Sequence, residues 1–239
     1  AAISLRAQAT AEARTDGRVA IHSTDTGRVT EVAHWSELGK PGELDLLGRL
    51  LHFFQADNLT LTTTAMSPAG AGIAGSSALN VAVCGLMARW NGVTYDPEVL
   101  LSIAQNIEAQ AIQCPTGAQD YRPAMYGGIA AVELGVEGVR RVGLSVDPAE
   151  LERRIVLAYT GAPRNSGTNN WEMTKRHLDG DRQVIDCFDR IRDTAVRMRG
   201  ALERENWPEV GRQIAQEWEN RQHLAPGVTT PQIDGLMAA

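Results

Sequence analysis

The sequence predicts an α+β protein, and three observations carry that expectation. Short segments near the start and in the middle of the chain alternate apolar and polar residues, as half-buried strands do. Longer segments elsewhere place apolar residues on one helical face. A glycine-rich loop, Pro68-Ala69-Gly70-Ala71-Gly72-Ile73-Ala74-Gly75-Ser76-Ser77-Ala78, runs from a segment of the first kind into one of the second.

Taken in order, Ile3 to Ala9 alternates as a first strand, and Arg18 to His22 and Arg28 to Val32 read as its neighbours. Leu59 to Met66 sets threonines against apolar residues, again at strand period. After the glycine loop, Leu79 to Met87 reads as an apolar helix with Ser76 or Ser77 as its N-cap. Pro97 opens a second helix, with an apolar face at Leu100, Ile103, Ala104, Ile107 and Ala111. Strands return at Ile129 to Leu134, Val139 to Leu144 and Ile155 to Tyr159, the last as a buried run ending in a Thr160-Gly161 turn.

From Asn169 the pattern is helical: a segment near Trp171 to Leu178, a long one from Asp181 to Glu205, and another from Pro208 to His223. Val184, Ile185, Phe188, Ile191, Ala195 and Met198 keep helical spacing and are expected in a core. Trp207 and Trp218 are read as helix-packing residues, with an aromatic ligand platform as the alternative. The expected division is an α+β part over 1–150 and a mainly helical part over 151–239.

Composition narrows the function classes. At 239 residues and 43% hydrophobic, the chain is long enough to bury a sizeable core. A net charge of −6 gives no electrostatic case for nucleic acid or acidic membranes as partners. No apolar run approaches the length of a membrane span. Cys84, Cys114 and Cys187 are few and widely spaced, which favours packed thiols in a reducing cytoplasm over a disulfide framework or a zinc site. The five histidines never approach one another at ligand spacing.

The glycine loop carries the chemistry. Glycines let the backbone approach an anion, unpaired amides at the helix start point at it, and the helix dipole favours its charge. A plain structural turn is the alternative, but three glycines and three alanines ahead of Ser76-Ser77 exceed what a turn needs. A Walker A loop is excluded, because Lys40 and Lys175 are the only lysines in the chain. Gly70-Ala71-Gly72-Ile73-Ala74-Gly75 fits the dinucleotide pattern literally. It lacks the context, since the preceding strand is threonine-rich and no acidic residue ends a second strand about twenty residues later.

The loop resembles the second motif of the GHMP kinases, Pro-x-Gly-x-Gly-Leu-Gly-(Gly)-Ser-Ser-Ala. It matches without gaps from Pro68 to Ala78, with Ile73 for leucine and Ala74 for a glycine. Downstream, Gly117-Ala118-Gln119-Asp120-Tyr121 with Gly127-Gly128 is similar to the Gly-Lys-Gln-Asp-x-Tyr…Gly-Gly segment of the sugar-kinase branch, which includes heptose-7-phosphate kinase and the kinase portion of fucokinase. Two departures stand out: Ala118 replaces a lysine, and Tyr121 follows the aspartate without a spacer.

The resemblance implies a GHMP-kinase fold, with a ribosomal-S5-like N-terminal part followed by a mainly helical one. It also implies ATP-dependent phosphorylation of a hydroxyl on a sugar or sugar phosphate. Pro68, Gly70, Ala71, Gly72, Ile73, Ala74, Gly75, Ser76, Ser77 and Ala78 would hold the nucleotide, and Ser76 or Ser77 with Glu108 would hold Mg²⁺. By position alone Glu108 lies beside the apolar stripe of its helix, and could equally be a boundary glutamate whose head reaches solvent.

Asp120 is the expected catalytic base, since a hydroxyl is a poor nucleophile at neutral pH. Its alternative role is a cap on the turn that follows. Gly117, Gln119, Tyr121, Gly127, Gly128 and Arg164 are the expected acceptor contacts, Arg164 being equally readable as a solvated loop arginine. A mevalonate-type kinase and a non-catalytic sensor of sugar and nucleotide are the rival readings. Because the family's first motif and its later Gly-Ala-Gly-Gly-Gly-Gly segment are not in this sequence, the chain is expected to be an internal fragment truncated at both ends.

Overall fold

The computed structural model describes residues 1–161 and 166–237. Among these it divides into two compact units, 1–127 and 128–239, so the expected boundary near 150 falls inside the second. Within the second unit, Glu133 of the hairpin at 130–143 forms an ion pair with a later helix, Arg199 Nη1 to Glu133 Oε1 at 2.7 Å.

The first unit is built on a four-stranded sheet of β1 (Ala7–Ala13), β2 (Val19–Ser23), β3 (Arg28–Val32) and β4 (Leu59–Ala65), in the order β1-β4-β2-β3. β4 runs antiparallel to β1 and parallel to β2, and β2 runs antiparallel to β3. Alternation in β4 does what its sequence requires: Leu59, Leu61 and Thr63 are buried, while Thr60 and Thr62 are only partly covered. β1 lies further along the chain than the Ile3 to Ala9 alternation suggests. Its register against β4, Ala7 with Ala65 to Ala13 with Leu59, decides which residues have a ladder partner.

Around the sheet lie a short 3₁₀ turn at Trp35–Gly39 and three helices, α1 (Asp45–Phe53), α2 (Gly75–Trp90) and α3 (Pro97–Ile112). Val19 and Ile21 of β2, Leu59 and Leu61 of β4, Leu50 and Leu51 of α1, Met87 of α2 and Leu101 of α3 form one core cluster. Each such side chain contributes about 1.5–3 kcal/mol by leaving water. Asp96 caps α3, accepting from the Glu98 amide at 2.9 Å with Pro97 as first helical residue. The unit closes with α4 (Tyr121–Tyr126), which ends at Gly127 with φ 65°.

The second unit begins with the hairpin β5 (Ala130–Gly135) and β6 (Gly138–Gly143), whose turn places Gly138 at φ 121°. Helices follow: α5 (Pro148–Glu152), α6 (Ser166–Leu178), α7 (Arg182–Glu203), α8 (Trp207–Arg221) and α9 (Pro231–Met237). Val184, Cys187 and Leu224 form its small buried cluster, with Phe188 and Ile191 packed on it. Thr194 is buried where Ala195 was expected, and Ala195 itself is exposed. Trp207 is half-buried with the Arg154 guanidinium 4.6 Å over its ring, a packing contact rather than an open platform.

One expected strand is corrected. Ile155 to Tyr159 forms no strand and is not buried, with Val156 93% exposed. A strand needs a partner for its amides and carbonyls, and no ladder among the described residues includes this run.

Candidate active site

The site sits where α2 begins. β4 delivers the chain into the glycine loop, where the Ala71 amide donates to the Pro68 carbonyl at 3.1 Å and closes a tight turn. Gly70 and Gly72 take φ of 74° and 76°, which side-chain-bearing residues rarely adopt. Gly75 lies close to Ser67, where a Cβ would come 3.0 Å from Ser67 Oγ and the serine would have to give way by a few tenths of an ångström. Ala74, the residue standing in for a glycine, occupies the left-handed region at φ 60° as the N-cap of α2.

The expected capping by Ser76 or Ser77 is corrected: α2 starts earlier, at Gly75, and no side chain caps it. Both hydroxyls are turned elsewhere. Ser76 Oγ donates to Glu108 Oε1 at 2.7 Å, and Ser77 Oγ donates to Glu108 Oε2 at 3.3 Å. The amides of the first turn therefore have neither an intrahelical acceptor nor a side-chain cap, the state in which a helix start attracts an anion.

Glu108 is a buried residue at 6% exposure, which removes the reading of a boundary glutamate reaching solvent. Its carboxylate is held from a third side by Tyr121, whose hydroxyl donates to Oε2 at 2.6 Å and lies 3.1 Å from Thr116 Oγ1. Burial, and then the hydrogen bond to Glu108, push the Tyr121 phenol well above its ordinary range, so it serves as a neutral donor. The two helices are pinned a turn away, where Asn80 Nδ2 donates to the Ala104 carbonyl at 2.7 Å.

Tyr121 was expected among the acceptor contacts. The structure corrects this: the side chain is 1% exposed and its hydroxyl faces Glu108 and Thr116. Asp120, one residue earlier, is half-buried at the N-cap of α4 with φ −72° and ψ −32°. Those angles are helical, and its carboxylate makes no cap hydrogen bond to α4, so the capping alternative fails. Gln119 is exposed, and its amide crowds Gly117, where a Cβ would come within 2.3 Å. Gly127 and Gly128, at φ 65° and 67°, end α4. Arg164 lies outside the described residues.

Two further residues hold this loop, and sequence reasoning passed over both. Thr116 supports the Tyr121 hydroxyl. Arg122 is buried, donating to the Ala118 carbonyl at 2.6 Å and to Glu98 Oε2 at 2.5 Å. The available signal for Arg122 was that it is the one charged residue of the segment Tyr121–Tyr126.

Strand, glycine loop, uncapped helix start and facing carboxylate define an α+β fold of the GHMP-kinase type. Residues 44–128, which contain all of these except part of the sheet, match the family model of the GHMP kinases N terminal domain. The chain is similar to the D-glycero-alpha-D-manno-heptose 7-phosphate kinase of Campylobacter jejuni, 26% identical over 99% of this chain and 72% of that protein. A mevalonate kinase of Methanothermobacter thermautotrophicus is 28% identical over 70% of this chain and 54% of its own length. Among solved structures, Lactococcus lactis galactokinase complexed with galactose shares the fold with a TM-score of 0.69. Its identity is 16%, over 98% of this chain and 71% of that one.

The donor set suits a hard divalent cation: one buried carboxylate and two hydroxyls, all oxygen, beside a helix start that favours phosphate. Among the described residues no three His, Cys, Asp or Glu side chains gather as a metal cage.

Proposed function

We propose that the chain carries the nucleotide and acceptor machinery of an ATP-dependent kinase that phosphorylates a hydroxyl on a sugar or sugar phosphate. The observation that carries this reading is Glu108. A helix start opened by a glycine loop favours anions, yet a buried carboxylate lies against the first-turn serines. Alone, that carboxylate would repel a bound phosphate. A divalent cation between them reverses the sign of the interaction.

In this reading the loop from Pro68 to Ala78 cradles the nucleotide phosphates with its backbone amides. Ser76 or Ser77 holds Mg²⁺ with Glu108. When bound, Mg·ATP supplies the transferable phosphoryl group and neutralises the charge that develops on it. Asp120 accepts the proton of the acceptor hydroxyl and orients it. Gly117, Gln119, Gly127, Gly128 and Arg164 remain the proposed acceptor contacts. Similarity to the heptose phosphate kinase runs along 99% of this chain, against 70% for the mevalonate kinase, which favours a sugar phosphate over mevalonate as acceptor.

Calorimetry tests the metal assignment directly. The full-length protein is expected to bind Mg·ATP more tightly than ATP in EDTA, and Ser77→Ala and Glu108→Gln each to weaken the metal-dependent part. Undiminished Mg·ATP binding in both variants would sink the assignment. A coupled ADP assay over aldoses, heptose 7-phosphate, fucose and mevalonate then identifies the acceptor. Sugar binding without turnover of any of them would favour a sensor.

A further inference from the structure

We infer that Tyr121 is a positioning residue for the proposed magnesium ligand. It dictates which oxygen of Glu108 is presented to the glycine loop and ties that choice to the placement of Asp120. The inference rests on the Mg·ATP reading above.

Glu108 is buried, so its two oxygens are distinguished by their partners and not by solvent. Oε2 accepts the Tyr121 hydroxyl at 2.6 Å and Ser77 Oγ at 3.3 Å, whereas Oε1 accepts only Ser76 Oγ at 2.7 Å. A carboxylate oxygen already engaged by a short hydrogen bond from a phenol is a poorer cation ligand than its neighbour. The Tyr121 bond therefore orients the carboxylate and leaves Oε1, on the Ser76 side, as the better cation ligand. Thr116 Oγ1, 3.1 Å from the same phenol oxygen, holds the ring in turn.

Tyr121 is also the first residue of α4, directly after Asp120. A bond of 2.6 Å from Tyr121 to Glu108 thus fixes the start of α4 against α3, and with it the backbone that carries the proposed base. This hydroxyl ties the proposed metal ligand to the start of the helix that follows the proposed base, while Arg122 and Glu98 join the same two helices further along. Partners that orient a metal ligand typically contribute about 10–100-fold in metal affinity, which sets the size of the expected effect.

The test is Tyr121→Phe in the full-length protein, which removes the hydroxyl and keeps the ring. Calorimetry should show about a 10-fold weaker Mg·ATP, with ATP in EDTA bound as in the wild type. A merely structural contribution would weaken both forms alike, and that result overturns the inference. So does full retention of metal-dependent binding. A wild type without metal-dependent nucleotide binding would instead overturn the Mg·ATP reading, and this inference with it. Should Tyr121→Phe fail to fold, the wild type labelled at tyrosine Cζ decides: adding Mg²⁺ to the ATP complex should shift the Tyr121 resonance, and an unmoved resonance refutes the role.

Discussion

The Asn80 side-chain amide donates to the Ala104 carbonyl at 2.7 Å, joining α2 and α3 one turn away from the point where Ser76 and Ser77 meet Glu108. Asn80 is fully buried, and its Oδ1 also lies 3.4 Å from Cys84 Sγ. The bond is the hinge pin of the site. Asn80→Ala is expected to cost about 1–3 kcal/mol, measured by urea unfolding, because it deletes a buried hydrogen bond and leaves a cavity. Mg·ATP binding should weaken with it. A loss below about 0.5 kcal/mol, the scale of an ordinary surface change, would show that the helices are held by their apolar contacts alone.

Ala74 occupies φ 60° at the start of α2. Left-handed backbone disfavours a residue bearing Cβ by about 1–2 kcal/mol, and glycine gives back part of that gain through its freedom in the unfolded chain. Ala74→Gly should therefore stabilise the protein by up to about 1 kcal/mol, seen as a higher urea midpoint at unchanged slope. Ala74→Val should lower the midpoint. Equal midpoints for glycine and valine would mean that the left-handed geometry is not the native one.

Burial pushes the Cys84 thiol up to about 12. At pH 8.5 it is accordingly neutral and shielded, so thiol reagents should leave it unmodified in the native protein and label it after denaturation. The linkage has a definite sign. A group whose native value lies above its unfolded value of about 8.5 contributes stability below pH 8.5, which is lost as pH rises towards 12. The Cys84→Ala variant should show a shallower alkaline decline in stability than the wild type. Rapid native labelling of Cys84 would contradict the burial.

Asp120 makes no cap bond to α4 and is the proposed base. Asp120→Asn preserves shape but cannot accept a proton. Turnover of a confirmed acceptor should fall by about 10²–10⁴-fold in kcat, with ATP affinity nearly unchanged. Full activity in this variant would remove Asp120 from the mechanism.

Local features were legible from the sequence for local reasons. Strand alternation in β4, the proline-opened helix α3 and the glycine loop running into a helix are each written within a dozen or so neighbouring residues, although that helix starts at Gly75 without the expected serine cap. α1 went unread although Leu46, Leu47, Leu50 and Leu51 hold helical spacing, because the segment before it carries no strong start signal and its N-cap, Leu44, makes no side-chain cap bond. Asp45 and Arg49, bonded at 3.0 Å along α1, were a second cue.

By itself the sequence determined the α+β class, the order of most helices and strands, and the passage from β4 through a glycine loop into a helix. These depend on backbone preference and periodicity, which travel with the chain. Only tertiary structure decided the rest. Ser76 and Glu108 stand 32 residues apart in sequence, so nothing local says that their oxygens meet. Tyr121 looked like a substrate contact by motif, but the space between α2, α3 and α4 turned it inward to Glu108 and Thr116. Ile155 to Tyr159 has the composition of a strand and remains exposed, because a strand exists only where another backbone accepts its hydrogen bonds. Partners distant in sequence are chosen by packing, and packing is a property of the folded whole.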